Sequence, residues 1–198
     1  MSPSTKASDS RQALIRASRI AAAWALGYAL YRWYYALGGT IAMPGTPASW
    51  EQWRRVNAVG GMLLFIFAIL PIVSASAWEH HRARPLLLAL SWIVAVGCVS
   101  HALIDIVMRV ASLADMLTIP YPFWQSIDRR RADMQDLFFN EPWFLVEGLL
   151  WVAIAWYGAG RRTPRWPWWV GSAMVATIAA TVWGLLAAFG LVARVIVG

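Results

Sequence analysis

Three ionisable side chains recur at intervals of four residues inside the otherwise apolar stretch 99–109. His101, Asp105 and Arg109 occupy positions i, i+4 and i+8 of this stretch. At 3.6 residues per turn, the three side chains share one face of a helix. Ionisable groups are costly inside a bilayer, so such a row indicates a functional site. Asp105 can fix the orientation of the His101 imidazole, and the pair can relay a proton.

Two other interpretations of the same row remain open. An ion pair between Asp105 and Arg109 could close a helix end, with His101 bonded to a neighbouring helix. A metal site formed by His101, Asp105 and Glu147 is also open, although only one histidine is in reach and the spacing is unspecific. Our prediction is a site without a cofactor or a metal.

Glu147, within NEPWFLVEGLLW, is a second candidate acid. At helical spacing it shares a face with Asn140, with Trp143 or Phe144, and with Trp151, so aromatic rings flank the carboxyl group. We interpret Glu147 as a proton donor or acceptor. The alternative is that it pairs with an arginine of a neighbouring helix.

The composition of the chain is that of an integral membrane protein. Of its 198 residues 60% are hydrophobic, whereas soluble domains contain about 45–50%. The net charge of +7 lies mostly in short segments between apolar runs, where it suits topology signals and anionic lipids. Because no basic stripe with interleaved aromatic residues is present, we exclude nucleic acid as a partner. Cys98 is the only cysteine, which excludes an internal disulfide.

Five apolar runs are each long enough to cross a bilayer, which takes about 20 residues. They cover residues 20–37, 57–78, 86–109, 142–158 and 168–195. The sequence therefore predicts an all-α fold, an integral membrane bundle of five transmembrane helices.

We find no internal repeat, so we predict a single transmembrane domain over residues 18–198. The polar segment 1–17 predicts a disordered cytoplasmic tail. Lysine and arginine are slightly more numerous on the side of the N-terminus, and they lack the acids that accompany those of the other side. This bias favours a cytoplasmic N-terminus in a multi-pass protein of the plasma membrane.

Two long connections separate the runs. For residues 38–55, rich in glycine and proline, we expect an irregular loop and then a short interfacial helix opened by Ser49. For residues 110–141 we expect a short amphipathic helix over 127–139. We interpret the charges of residues 128–136 as a solvated face of that helix.

Polar residues of all five runs collect at one membrane face, because consecutive spans alternate in direction. The residues concerned are Arg32, Asn57, His101, Asp105, Arg109, Asn140, Glu141, Glu147 and Arg194. Both long connections lie over this face. Polar groups gathered in one leaflet beneath long loops indicate a binding site.

Two segments resemble known families. SWIVAVGCVSHALID followed by NEPWFLVEG resembles the emopamil-binding sterol isomerase superfamily, with His101, Asp105 and Glu147 at the positions of its histidine and acids. Asp105 stands where glutamate is usual, and the fifth span keeps only Trp183 of an Asn-x-x-Trp pair. The resemblance implies five spans, a cavity open to lipid, and double-bond isomerisation through a carbocation held by aromatic residues. YRWYYALGGT is similar to a segment of small bacterial multi-span membrane proteins, which implies no particular activity.

These observations predict a membrane-embedded acid–base enzyme that isomerises or cyclises a lipophilic isoprenoid or sterol-like substrate. The catalytic residues would be Glu147, Asp105 and His101. The substrate-binding residues, including aromatic rings that stabilise positive charge, would be Arg32, Trp33, Tyr34, Asn57, Arg109, Asn140, Trp143, Trp151 and Trp183.

A small proton-coupled transporter, a lipid-binding module and an accessory subunit of a membrane complex are the alternatives. The expected partners are membrane lipid and a lipophilic small molecule. The sequence leaves open whether the chain forms a homo-oligomer.

Overall fold

The computed structural model describes residues 3–78, 80, 82–159 and 166–191, with side chains from residue 9 onward except at 159 and 166. Helices account for most of these residues, and the only strands among them form one short antiparallel pair. The predicted all-α architecture is therefore confirmed. Arg194 and residues 192–195 of the predicted fifth span lie outside the described residues.

The described residues form six helices. They are α1 (Pro3–Ala36), α2 (Trp50–Ala77), α3 (Arg84–Leu113), α4 (Arg129–Gln135), α5 (Glu141–Ala159) and α6 (Trp166–Ala188). A π-helical turn, Asp136–Asn140, joins α4 directly to α5. Four helical stretches are long and apolar enough to cross a membrane, namely α2, α3, the stretch from α4 through α5, and α6. The C-terminal half of α1 is rich in tyrosine and tryptophan and contains Arg32, which lowers its mean hydropathy.

The helices pack as a series of neighbours in which α5 is central. Helix α2 packs on α1, α1 on α5, α5 on α3, and α3 on α6. The core lies along α5, where Trp151, Ile154 and Ala155 are fully buried. The outer helices α2 and α6 keep long apolar side chains exposed along their length, as helices that face lipid do.

A short antiparallel pair connects the two long loops. Strand β1 (Gly45–Pro47) pairs with β2 (Trp124–Ile127), so that Gly45 lies opposite Ile127. A Cβ atom at Gly45 would lie 2.0 Å from the carbonyl oxygen of Ser126, so only glycine allows this close approach. The pairing covers one end of the bundle with a cap made of β1, β2 and their flanking loops.

The short helices predicted at the membrane surface are continuous with the spans that follow them. Ser49 caps α2 by accepting a hydrogen bond from the backbone N–H of Gln52 (3.3 Å), but α2 then runs unbroken to Ala77. Helix α4 likewise continues through the π-helical turn into α5. Extending an existing helix is cheaper than nucleating a second one, which accounts for both cases.

Helix α1 also begins earlier than predicted. The segment 1–17, for which we predicted a disordered tail, is helical from Pro3 onward. Leu14 and Ala17 are buried and belong to the hydrophobic core. Apolar contacts of this kind stabilise the additional turns, although the segment as a whole is polar.

We expect Gly148→Val to destabilise the contact between α3 and α5. A Cβ atom at Gly148 would lie 2.7 Å from Val99 Cγ2 and 3.2 Å from the carbonyl oxygen of Ala95. Overpacking of this kind costs about 1–3 kcal/mol, which thermal unfolding of the detergent-solubilised protein would register as a lower Tm. The control is Gly97→Val, because no atom lies within 4 Å of a Cβ there. An equal change in Tm for both variants would contradict this packing.

Candidate functional site

The most highly connected charge in the described structure is Arg109 of α3, whose side chain is 13% exposed. Its guanidinium lies 2.9 Å from Asp136 Oδ2, 3.2 Å from Asp133 Oδ1 and 4.0 Å from Asp105 Oδ2. It also donates a hydrogen bond of 2.8 Å to the hydroxyl of Tyr121. We call these five residues the Arg109 cluster. A buried charge is stable only when it is paired and hydrogen-bonded. Both terminal nitrogens of Arg109 meet that requirement, whereas its Nε has no hydrogen-bond partner among the described residues.

Asp133 fixes the loop before α4 to the end of α3. Its carboxylate accepts hydrogen bonds of 2.6 Å from Tyr121 and of 2.6 Å from Ser112, in addition to the contact with Arg109. Burial raises the pKa of Tyr121, and the hydrogen bond to Asp133 raises this pKa further. The Tyr121 hydroxyl therefore remains a donor throughout the physiological pH range.

A chain of hydrogen bonds continues from the Arg109 cluster across the bundle to α2. Asn140 Nδ2 donates to Asp136 Oδ1 (2.5 Å), and Tyr28 donates to Asn140 Oδ1 (3.1 Å). Arg32 then donates to the Tyr28 hydroxyl (3.1 Å) and to Asn57 Oδ1 (3.2 Å). Four residues predicted to share one membrane face are thus joined in one network. They are Arg32, Asn57, Arg109 and Asn140.

A second group of titratable side chains lies beside the first. His101 Nε2 is 3.7 Å from Glu141 Oε2 and 4.0 Å from Asp105 Oδ2. The His101 side chain is 49% exposed, whereas that of Glu141 is 3% exposed and its Oε2 has no hydrogen-bond partner. The ring of Phe144 meets the imidazole edge-on at 4.7 Å between centroids. We call His101, Asp105 and Glu141 the His101 cluster.

The His101 cluster has the donor set of a divalent metal site. Its one nitrogen and two carboxylate oxygens lie within 4.8 Å of one another. Histidine with carboxylates suits Zn²⁺ or Mn²⁺, and the exposed side of His101 would leave coordination positions open. The three residues therefore fit either a metal ion or acid–base chemistry.

Asp105 belongs to both clusters. Its two predicted roles, the ion pair with Arg109 and the contact with His101, therefore occur together. The ion pair with Arg109 is present, but Asp133 and Asp136 approach the guanidinium more closely than Asp105 does. Because Arg109 is already neutralised, the Asp105 carboxylate remains available to His101.

Glu147 is not part of either cluster. Its Oε1 accepts a hydrogen bond of 2.9 Å from Trp151 Nε1, and no described hydrogen bond or ion pair joins it to His101 or Asp105. Glu147 lies six positions after Glu141. At 100° per residue the two side chains are about 240° apart around the axis of α5, so they point to different faces. The structure brings Glu141, rather than Glu147, together with the predicted pair on α3.

The aromatic residues that we predicted to bind substrate are spread over several helices and are not gathered around His101. Trp143 stacks on Trp24 of α1 at 4.2 Å, and Trp151 is fully buried in the core. The remaining three lie elsewhere: Trp33 against Gly61, Tyr34 against Gly39, and Trp183 exposed on α6. Phe144 is the ring that contacts the His101 cluster.

Sequence reasoning missed five residues of this site. They are Tyr28, Tyr121, Asp133, Asp136 and, as a site residue, Glu141. Asp133, Asp136 and Asn140 share one helical face through spacings of three and four, and Tyr28 precedes Arg32 by one turn. These spacings were the available signal, but an acidic helix face is more often solvated than buried.

A cavity of about 160 Å³ lies beneath the β1–β2 pair. We call it the cap cavity. Its lining includes Arg32, Tyr35, Trp53, Trp124, Asp136 and Asn140. It is therefore bounded both by the cap and by the hydrogen-bonded network below.

We expect Asp133→Asn to destabilise the protein by about 3 kcal/mol, the scale of breaking a buried ion pair. The substitution removes a negative charge 3.2 Å from Arg109, while Asp136 remains. Chemical denaturation followed by circular dichroism would measure the loss. The matched control is Asp115→Asn, because Asp115 is exposed and should change stability by less than about 0.5 kcal/mol. Equal stability of the two variants would show that the cluster is not needed for folding.

Comparisons with known proteins identify no relative, so the geometry of the site is the basis for inferring the function. No protein-family model matches the chain, and no curated protein or solved structure matches it. The resemblance to the sterol isomerase superfamily therefore stays a prediction.

Proposed function

We propose that this protein is a five-span membrane enzyme that carries out acid–base chemistry on a lipophilic substrate of isoprenoid or sterol type. One observation carries the proposal. The half-exposed imidazole of His101 is backed by the carboxyl groups of Asp105 and Glu141, and the buried Oε2 of Glu141 has no hydrogen-bond partner. An imidazole so placed can exchange a proton with a substrate on one side while the acids behind it fix its orientation.

The location of His101 favours a substrate that arrives from lipid. His101 lies in α3, which is long and apolar enough to span a membrane, and its side chain is 49% exposed. One turn earlier on the same face, Gly97 is also exposed and has open space around it. A lipophilic molecule could therefore reach the imidazole laterally from the bilayer.

The residues can perform double-bond isomerisation with balanced atoms. The imidazolium of His101 gives a proton to one alkene carbon, which leaves a carbocation on the other. The resulting neutral imidazole removes a proton from the carbon next to the cation, so the double bond moves by one position. His101 returns to its starting state, and no cofactor or oxidant is consumed.

Glu141 and Asp105 act as positioning residues in this scheme. Their carboxyl groups lie 4.0 Å (Asp105) and 3.7 Å (Glu141) from Nε2, where they hold the imidazole in position. The Phe144 ring, edge-on to the imidazole at 4.7 Å, could stabilise a nearby carbocation through its π face.

Helix α1 is the fifth span of the proposed bundle. It packs along α2 and α5, and its residues Ala21, Ala25 and Ala29 are buried in these contacts. In this topology the N-terminus is cytoplasmic, and the two clusters and the cap lie at the opposite membrane face.

We expect the wild-type protein to introduce deuterium from D₂O into an unsaturated isoprenoid. The purified protein in nanodiscs would be incubated with farnesol, phytol or a Δ8-sterol, and mass spectrometry would detect each exchanged or shifted position. His101→Gln should lower the exchange rate by at least 100-fold, since general acid–base catalysis contributes about 10²–10⁴-fold.

Two controls accompany this assay. Glu51→Gln alters an exposed ion pair with Arg55 and should retain the full rate. Glu147→Gln should also retain it, because Glu147 does not contact His101. Exchange that persists in His101→Gln would contradict the assigned role. Proton flux in liposomes without any exchange would instead favour the transporter alternative.

We further expect the exchange activity to survive removal of metal ions. The acid–base scheme uses only the protons of His101, so treatment with EDTA should change the rate by less than twofold. Loss of activity with EDTA, and its recovery with Zn²⁺ or Mn²⁺, would show that the His101 cluster works as a metal site.

A further inference from the structure

We propose that the cap cavity binds a small organic monoanion, a carboxylate attached to a planar apolar group, and that Arg32 is its charge partner. This site is distinct from the one in the proposed function, because neither His101 nor Glu141 lines the cavity. The cavity lies at the capped end of the bundle, so its ligand would come from water rather than from lipid.

Arg32 supplies an unneutralised positive charge. It is half-buried, and among the described residues no carboxylate lies within ion-pair distance of it. Its guanidinium contacts only neutral oxygens, those of Asn57 and Tyr28. A guanidinium has five N–H donors, so the two described hydrogen bonds leave donors for a ligand.

Asp136, the acid in the cavity wall, does not turn the site into one for cations. Its Oδ2 is paired with Arg109 at 2.9 Å, and its Oδ1 accepts the hydrogen bond from Asn140. Both oxygens of Asp136 therefore have partners, although Arg109 is shared with Asp133 and Asp105 and offsets the Asp136 charge only in part. Arg32 is the only cationic side chain among the described residues that line the cavity.

Aromatic rings form the apolar part of the cavity wall. The ring of Trp53 lies 5.8 Å from that of Tyr35 and 4.9 Å from that of Trp124, measured between centroids. Trp124 belongs to β2, whereas the other two belong to helices. Rings from three elements thus bound the same space, which favours a flat ligand that can stack.

The size and charge of the cavity limit the ligand class. Its volume of about 160 Å³ is close to that of an engineered cavity of about 150 Å³ that holds benzene. A single unpaired arginine beside the Asp136 carboxylate favours one negative charge over two. Benzoate matches both limits, while inorganic phosphate is smaller, more highly charged and without an apolar face.

Isothermal titration of the full-length protein in nanodiscs tests this inference with benzoate, benzyl alcohol, benzylammonium and phosphate. We expect benzoate to bind at least tenfold more tightly than the neutral alcohol, and benzylammonium not to bind. Arg32→Gln should weaken benzoate binding by at least tenfold, because it removes a charge-assisted hydrogen bond. It should leave the weak binding of benzyl alcohol unchanged.

Two further variants serve as a control for the charge of Arg32 and as a second test of the cavity. Arg55→Gln removes an exposed arginine paired with Glu51 and should leave benzoate affinity unchanged. Trp124→Ala should weaken benzoate and benzyl alcohol alike, and it decides the matter if Arg32→Gln does not fold. Equal affinity for benzoate and the alcohol, tighter binding of phosphate, or no effect of Trp124→Ala would each overturn the proposal. Deuterium exchange at His101 needs none of these groups. A failure of benzoate to bind would therefore leave the proposed enzymatic function untouched, and a failure of the exchange assay would leave the binding proposal untouched.

Discussion

The buried guanidinium of Arg109 imposes the constraint on which the rest of the site depends. A charge in an apolar bundle must be neutralised, and the two closest carboxylates come from Asp133 of α4 and Asp136 of the π-helical turn. This requirement holds α4 against the end of α3, although α4 is polar enough to lie in solvent. It also places the preceding strand β2 over the bundle, where it pairs with β1 and closes the cap.

Hydropathy and alternation of direction were sufficient to predict the main features of the fold. Four of the apolar runs correspond to helices that are long and apolar enough to cross a membrane. Alternating direction predicted that Arg32, Asn57, Arg109 and Asn140 lie at one end of the bundle, and the structure joins these residues there. The placement of Glu147 away from His101 has a different origin, because depth in the membrane does not determine helix rotation. The spacing of six positions puts Glu141 and Glu147 about 9 Å apart along α5 and on different faces, and Glu141 is the one that contacts His101.

The acids of α4 show a second limit of sequence reasoning. Arginines 129–131 are exposed, and Asp133 lies only two residues further on. Local composition therefore indicates a solvated helix, and nothing nearby in the sequence reveals the partner 24 residues away. The burial of Asp133 depends on a tertiary contact with Arg109, which overrides the local polar pattern. Tyr121 and Ser112 contribute to the same contact through their hydroxyl groups.

The two arginines of the polar face differ in their surroundings, so one belongs to the structural framework and the other remains available to a ligand. Arg109 is surrounded by carboxylates, so its charge stabilises the fold and is not available to a ligand. Within the described part of the chain, the contacts of the Arg32 guanidinium are with the neutral groups of Asn57 and Tyr28, so its charge is still available. The same argument applies to acids, since the pairing of Asp133 and Asp136 with Arg109 leaves Glu141 and Asp105 to face His101. A structural ion pair at Arg109 and the role that we propose for His101 are therefore compatible, because Asp133 and Asp136 relieve Asp105 of the charge that it would otherwise have to balance.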